Sequence, residues 1–569
     1  MSQDAPDTRP AKPAGLPALR LALLVLLAVG AAATAGLLMA RLQSPDKPSG
    51  GGTAEQPVSP ELSKAADKYF PSWPAGKKPE LVILLSGQQH NYEQPCGCTE
   101  PQLGGLERRY NFVKFLRDQK IGVVPLDLGD VYYSHYEPGR PTLTEQLKLK
   151  YRMSMNALSL MGYEAVCVGK EEFGMPLIEA LAATVLNSDP SYSFLVANLK
   201  DRAINFPPKS EGSPPMIGDF KVTKTPIKVG VIGTVGQSVA DEVGKIDRSV
   251  AFLSNGEVVP ATLKAMAAQN PDVRVLLYQG TETEAKTLAG KITDFDVILC
   301  LSAESEPPSE AAKVGKTQII RVGHKGRYVG LVGVFRTADG KLDLKYDLVP
   351  MDPEFRTPPE QAASNPALKL LDEYTVEVKA NDLLSRYPEI AHSLQVKFPS
   401  KPGRPEPQFV GSKKCQECHQ KEFQVWDTSK HAAAYETLVE NRKPPLNRQF
   451  DGECVVCHTI GFGYKSGYRD DQKTPDLKGV GCENCHGPGS LHIADAKNKE
   501  VQLAMSPWKQ KPGDDITNAM VEKVIFRTCF HCHDTDNDPH FDLKKNWPKI
   551  GHGKNANAFK GAGAAAKKD

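Results

Sequence analysis

The sequence predicts a multidomain protein: an N-terminal transmembrane helix, an α/β domain, and a mainly α or irregular C-terminal domain. Three observations carry this reading. Residues 21–40 are apolar and uncharged, short β-branched runs alternate with amphipathic stretches from 80 to 350, and Cys-x-x-Cys-His occurs four times after residue 410. A chain of 569 residues exceeds what one hydrophobic core supports, so several domains follow.

The apolar run reads LALLVLLAVGAAATAGLLMA. At a helical rise of about 1.5 Å per residue it spans a hydrocarbon core of about 30 Å. Arg9, Lys12 and Arg20 precede it, which keeps the N-terminus cytoplasmic and exports the rest. A cleavable signal peptide is the rival, with AAATA offering small residues to a peptidase; the length of the run favours an uncleaved anchor. The expected location is the bacterial inner membrane, single-pass with the bulk in the periplasm, or the periplasm alone after cleavage. Residues 1–42 then form the cytoplasmic N-terminus and anchor, and 43–78, rich in Pro, Gly and Ser, a flexible linker.

Residues 79–350 form the α/β domain. Buried strands are expected at 81–85, 122–126, 228–233, 273–278 and 296–301, and helices at 105–116, 143–161 and 261–268. RYVGLVGVFRT and KLDLKYDLVP, joined through Asp339-Gly340, read as a closing hairpin. Cys167 and Cys300 fall within apolar strand patterns and read as core. Residues 351–407 are a connector, helical over 366–384 and proline-rich after it. Residues 408–553 carry the haem motifs, and 554–569 form a disordered basic tail.

Each Cys-x-x-Cys-His reads as a c-type haem attachment site. Cys415 and Cys418, Cys454 and Cys457, Cys482 and Cys485, and Cys529 and Cys532 supply thioethers for four haem c groups. His419, His458, His486 and His533 are the proximal iron ligands. A zinc ribbon also uses paired Cys-x-x-Cys, but does not require a histidine after each second cysteine. Distal candidates are His431 at the start of HAAAYETLVE, His492 beyond a Gly-Pro-Gly turn, His552 in WPKIGHG, and His540 in NDPHF. His492 is expected to reach a neighbouring haem, not its own, and His531, inside the last motif, is too constrained to ligate. Four haems in so short a region leave porphyrin faces to supply much of the buried apolar surface.

The segments VGSKKCQECH, VWDTSKHAAAY, ECVVCHTIGFGYKSGY, LKGVGCENCHGPGSLH and NWPKIGHG resemble the tetrahaem cytochrome c554-type family. That resemblance implies a compact electron carrier with haems in close pairs, mostly with two histidine ligands each. It also implies that one haem can lack a protein sixth ligand, here the haem on His458 or its neighbour.

GGLERRYNFV, PLDLGD and MNALSLMGYEAVCVGKEEF resemble the 5′-nucleotidase branch of the calcineurin-like metallophosphoesterases, which implies a metallophosphoesterase-like sandwich. The resemblance implies two catalytic metal ions, yet the ligand positions depart from the pattern. Gln88 stands where the first Asp belongs, with His90 and Asp130 retained. Lys170, Glu171 and Glu172 replace Asn-His-Glu, and the later segments YQG and LSAES carry no histidine; His324 comes after them. A site with Gln and Lys in place of two hard ligands is not expected to hold two divalent cations. Cys96 and Cys98 flank one glycine, too tight for a mutual disulfide. With His90 and Asp130 they could form a soft site for one zinc or copper ion; separate buried thiols, or pairing with a distant cysteine, are the alternatives.

Net charge is +2 without a basic stripe, which argues against nucleic-acid partners. The expected function is electron transfer by a membrane-tethered periplasmic cytochrome, with a non-catalytic phosphoesterase-like scaffold and redox proteins, or a respiratory membrane complex, as partners. Two enzyme readings stay open: oxidation or reduction of a small nitrogen compound at an open haem, and phosphohydrolysis at a rebuilt metal site.

Overall fold

The computed structural model describes residues 59–553 and 556, apart from 96–100, 134–140, 176, 187–188, 209, 211–214, 441–444, 510 and 512–518. The expected anchor at 21–40, Cys96, Cys98 and almost all of the expected tail lie outside the described residues. Among the described residues no helix is long and apolar enough to cross a membrane.

Two sheets form the α/β domain. The first runs β13-β12-β1-β2-β3-β4-β5, from Leu342–Pro350 (β13), Tyr328–Arg336 (β12), Leu81–Ser86 (β1), Gly122–Asp127 (β2), Ala165–Cys167 (β3), Ser193–Leu195 (β4) and Ile217–Gly218 (β5). The second runs β10-β11-β9-β8-β7-β6, from Ala312–Val314 (β10), Thr317–Ile320 (β11), Val297–Cys300 (β9), Val273–Gln279 (β8), Val229–Val235 (β7) and Phe220–Val222 (β6). Strands β1 to β5 are mutually parallel, and β12 turns antiparallel against β1 and pairs with β13 through the Asp339-Gly340 hairpin.

Strand β1 is apolar almost throughout because both its faces are covered. Side chains alternate along a strand. Leu81, Ile83 and Leu85 meet Val231, Val275 and Leu299 of the second sheet, while Val82 and Leu84 meet Phe112 and Tyr151 on the outer helices. Helices Asn255–Ala267 and Glu282–Lys291 cover the far face of the second sheet through Val259, Met266, Ala285 and Leu288. The architecture is thus helix, sheet, sheet, helix. Cys167 and Cys300 are buried within it.

Two expectations need correction. The helix expected from 261 starts at Asn255: the Ser254 hydroxyl accepts from Gly256 N at 3.2 Å, and the helix tolerates Pro260 at the loss of one backbone bond. The expected flexible linker is folded from Ser59 onward. Ser59 caps helix Pro60–Tyr69, and Leu62, Phe70 and Trp73 enter the same core cluster as Phe112. Proline and serine content suggests a tether, but Ser-Pro here is a helix start.

The haem-motif region contains short helices with isolated bridges between them, such as Thr459 with Lys478. Its own clusters are small: Ile525 with Leu543, and Leu491 and Val501 against Leu394 and Phe398 of the connector. Tyr435, Val455, Ile460, Phe462 and Tyr468 instead join the large cluster of the α/β domain. Polar contacts reinforce this shared core. Lys150 lies between Glu93 at 2.9 Å and Glu453 at 2.5 Å. The Gln146 amide donates to Asp451 at 2.7 Å and to the Tyr374 hydroxyl at 2.8 Å, while Tyr374 donates to Asp451 at 3.0 Å. Asp451 also caps helix Gly452–His458, so the α/β domain and the connector Tyr374 both hold the start of the second motif.

Candidate functional site

Helical turns shape the motifs. His419 N bonds Cys415 O at 2.9 Å, and His533 N bonds Cys529 O at 2.9 Å. One turn brings the cysteines at i and i+3 and the histidine at i+4 to the same face. That is the arrangement a single planar group gripped at two edge carbons and at its centre would need. The motifs also cluster: Cys482 N donates to Ser412 Oγ, beside the first motif, at 3.1 Å, and Val480, just before the third motif, donates its N–H to His431 O at 2.9 Å.

Three histidine pairs emerge. His419 faces His492 with ring centroids 6.1 Å apart, His486 faces His552 at 6.1 Å, and His431 faces His533 at 6.0 Å. Two imidazoles bonded at about 2 Å to opposite sides of one metal ion have centroids about 6 Å apart. Each pair joins one motif histidine to one of the expected distal candidates. Burial lowers the pKa of His431, His458 and His492, and pushes His486 down to about 4. Neutral imidazole is the ligand form. The buried Nδ1 of His492 has no hydrogen-bond partner, a polar atom that a metal would satisfy. These residues fit haem c.

His458 differs. Its Nδ1 faces Ala434 O at 2.5 Å and Thr437 Oγ1 at 3.4 Å, and among the described residues no histidine ring stands opposite it. His540 is exposed and makes no ring contact with a motif histidine among the described residues.

At the carboxyl edge of the first sheet, the positions expected to bind metal are engaged otherwise. The Gln88 side chain pairs with the Ser302 backbone, donating to its carbonyl at 3.1 Å and accepting from its N–H at 2.7 Å. Lys170 Nζ lies 3.0 Å from Glu242 and 3.6 Å from Glu171, placing a fixed ammonium where the resemblance implies a metal ligand. The Glu172 carboxylate accepts from the backbone N–H groups of Asp130 (2.9 Å), Val131 (2.6 Å), Tyr132 (3.2 Å) and Gly169 (2.9 Å). Asp130 accepts from Glu171 N at 2.9 Å, and a Cβ on Gly169 would collide with its carboxylate. Burial raises the pKa of both Asp130 and Glu172. Gln88, His90, Asn91 and Asp130 hold left-handed backbone conformations, so the edge keeps the strained loops of a binding site without a hard-ligand set. His90 stacks near Tyr133 at 4.9 Å and His324 at 5.8 Å. Among the described residues no group of three His, Cys, Asp or Glu could hold a metal ion.

Sequence reasoning missed the carboxylates that organise the haem region. Glu483, inside the third motif, accepts from Val410 N, Gly411 N and Gly489 N between 2.7 and 3.0 Å. Asp538 accepts from His533 Nδ1 at 2.7 Å. Neither position carries a pattern that marks it in advance.

Residues 414–487, which hold the first three motifs, match the family described as cytochrome c554 and c-prime. Cytochrome c-554 of Nitrosomonas europaea is 36% identical over 135 residues, covering 22% of this chain and 57% of that protein. The chain thus spans little more than half the length of this curated relative. The reduced structure of cytochrome c554 from the same organism is similar at 32% identity, over 22% of this chain and 65% of that one, with a TM-score of 0.17. The α/β domain matches a 5′-nucleotidase precursor from Thermus thermophilus at 20% identity, over 55% of this chain and 60% of that one, with a TM-score of 0.41.

Proposed function

We propose that this chain is a tetrahaem c-type cytochrome that passes electrons, carried beside a phosphoesterase-like domain that supports the haem region without hydrolysing substrate. The three histidine pairs at 6.0 to 6.1 Å carry this reading, one partner of each pair following a Cys-x-x-Cys. Bound haem would supply iron that takes up and releases one electron at a time. The protein's part is to fix two imidazoles on three irons and to bury them, so that the ligand set does not change between oxidation states. The shared core with the α/β domain adds rigidity, which keeps the reorganisation on electron transfer small.

His458 supports a second reading beside transfer. With no histidine opposite it among the described residues, its iron would keep a position for a small ligand, and oxidation or reduction of a small nitrogen compound there is the enzyme alternative. Phosphohydrolysis finds no support in the engaged side chains of Gln88, Lys170 and Glu172. A single zinc or copper ion on His90 with Cys96 and Cys98 is a proposal for the same edge; Asp130, tied to Glu171 N, would not join it. Metal analysis of the full chain finding no zinc or copper beyond its iron would remove it.

The location proposed is the periplasmic face of a bacterial inner membrane, anchored by residues 21–40, with redox proteins or a respiratory complex as partners and no role for nucleic acid. Intact-mass analysis of the full chain tests the core of the proposal. It should find four covalent haem adducts. Zinc in place of haem at these cysteines would overturn it.

A further inference from the structure

The motif histidines differ in what holds their second ring nitrogen. His458 Nδ1 faces the Ala434 carbonyl and His486 Nδ1 the Met505 carbonyl, at 2.5 and 2.9 Å. His533 Nδ1 instead faces a carboxylate, Asp538 Oδ2, at 2.7 Å, and the Asp538 side chain is only 12% exposed. A carbonyl is a neutral acceptor. A buried carboxylate draws the Nδ1 proton toward itself and leaves more electron density on Nε2, the nitrogen left to bind iron were haem present. Greater donation favours ferric over ferrous iron, so the reduction potential falls. Phe541 stacks on the His533 ring at 4.4 Å and fixes the plane in which this hydrogen bond forms.

The loop that presents Asp538 is held from two sides. Internally, Asp534 Oδ1 accepts from Asp536 N at 2.9 Å and Asn537 N at 2.7 Å, and Asp538 N bonds Asp534 O at 2.8 Å. Externally, the α/β domain grips it. Asp536 forms ion pairs with both Lys325 and Arg327, and the Gln102 amide donates to Asn537 O at 2.7 Å. Lys325 lies in the turn between β11 and β12, in a left-handed conformation, with its own N–H bonded to Gln88 O at 2.7 Å. The grip therefore starts from the same sheet edge where the resemblance implies metal ligands.

We propose that Asp538 is a positioning residue that lowers the reduction potential of the haem on His533, and that the α/β domain keeps it in place through Lys325 and Arg327. The inference rests on the tetrahaem reading and gives the phosphoesterase-like domain a specific task, tuning one haem from outside the cytochrome region.

Spectroelectrochemical titration of the full-length holoprotein tests this, comparing wild type with Asp538→Asn, Asp538→Ala and the double variant Lys325→Ala/Arg327→Ala. In Asp538→Asn, which keeps an acceptor and loses the charge, one of four potentials should shift upward while three hold. Asp538→Ala should shift the same haem at least as far, and the double variant should shift it in the same direction. Unchanged potentials in Asp538→Asn, or a uniform shift of all four, would overturn the role of Asp538. An unshifted double variant would overturn the role of the α/β domain. If Asp538→Ala fails to load its haem, Asp538→Asn decides alone. A wild-type protein without four covalent haems would mark failure of the tetrahaem reading instead.

Discussion

His419 and His492 face each other with ring centroids 6.1 Å apart, although one closes the first motif and the other lies beyond the third. The Gly-Pro-Gly turn after His486 redirects the chain so that helix Ser490–Ala494 presents His492 to a neighbouring motif, not its own. In the proposed function, removing that ring should leave attachment intact, because Cys415 and Cys418 would hold the haem. In His492→Ala, the haem count should stay at four while one low-spin signal converts to high-spin. Optical and electron paramagnetic resonance spectra check this; an unchanged low-spin count would show that His492 is not a ligand.

His431 offers a parallel test with a different address. It stands near the first motif in sequence but opposite His533 of the fourth in space. His431→Ala should therefore alter the same haem that responds to Asp538→Asn. If the two substitutions perturb different haems, the pairing is wrong.

Asp451 links three parts of the chain: the Gln146 amide, the Tyr374 hydroxyl and the cap of helix Gly452–His458. Asp451→Ala loses a cap, worth about 1 kcal/mol, and leaves buried polar groups unmatched at about 1–3 kcal/mol. A destabilisation of about 2–4 kcal/mol is expected. Denaturant midpoints should fall accordingly with haem content unchanged. A loss below about 0.5 kcal/mol, the range of an ordinary surface substitution, would mean that this network does not hold the two regions together.

Glu93 gives the pH dependence. Burial pushes its carboxyl up to about 7, despite the opposing attraction of Lys150. A carboxyl with a raised folded-state pKa binds more protons folded than unfolded between its ordinary value and the raised one. Its contribution to stability is thus full below about pH 4.5 and is lost as pH rises toward 7. The size is a few kcal/mol, at about 1.4 kcal/mol per pKa unit. Unfolding midpoints of wild type and Glu93→Gln, measured from pH 4.5 to 7.5, should diverge in slope: the variant loses less stability over that interval. Parallel curves would contradict the assignment.

The α/β domain should not hydrolyse nucleotides, with or without added manganese. Gln88→Asp alone should not create activity, because Lys170 still places an ammonium in the site and four backbone donors already occupy the Glu172 carboxylate. Phosphate release by the wild-type chain would overturn the scaffold reading.

The α/β sandwich is largely legible in the sequence because strands buried on two faces read as continuous apolar runs: LVILL and VRVLLY match β1 and β8 to within a residue. The four Cys-x-x-Cys-His motifs are legible because their spacing is local to the sequence. What stays hidden is non-local. Nothing near His431 signals His533, and nothing near Asp536 signals Lys325, since such pairings depend on how the chain returns. The folded segment from Ser59 is hidden because its composition outweighs one helix cap. Asp538 is hidden because aspartate is common in loops, whereas His540, two residues on and of the residue type that suggests a ligand, is exposed.

In the proposed function three irons carry two histidines each and the iron on His458 carries one. Electron paramagnetic resonance of the fully oxidised full-length protein, integrated against total haem, tests it most directly. Three low-spin ferric haems and one high-spin haem per chain are expected, with the high-spin signal alone shifting on addition of nitric oxide. Four low-spin haems, or a low-spin haem that turns high-spin in His540→Ala, would contradict it.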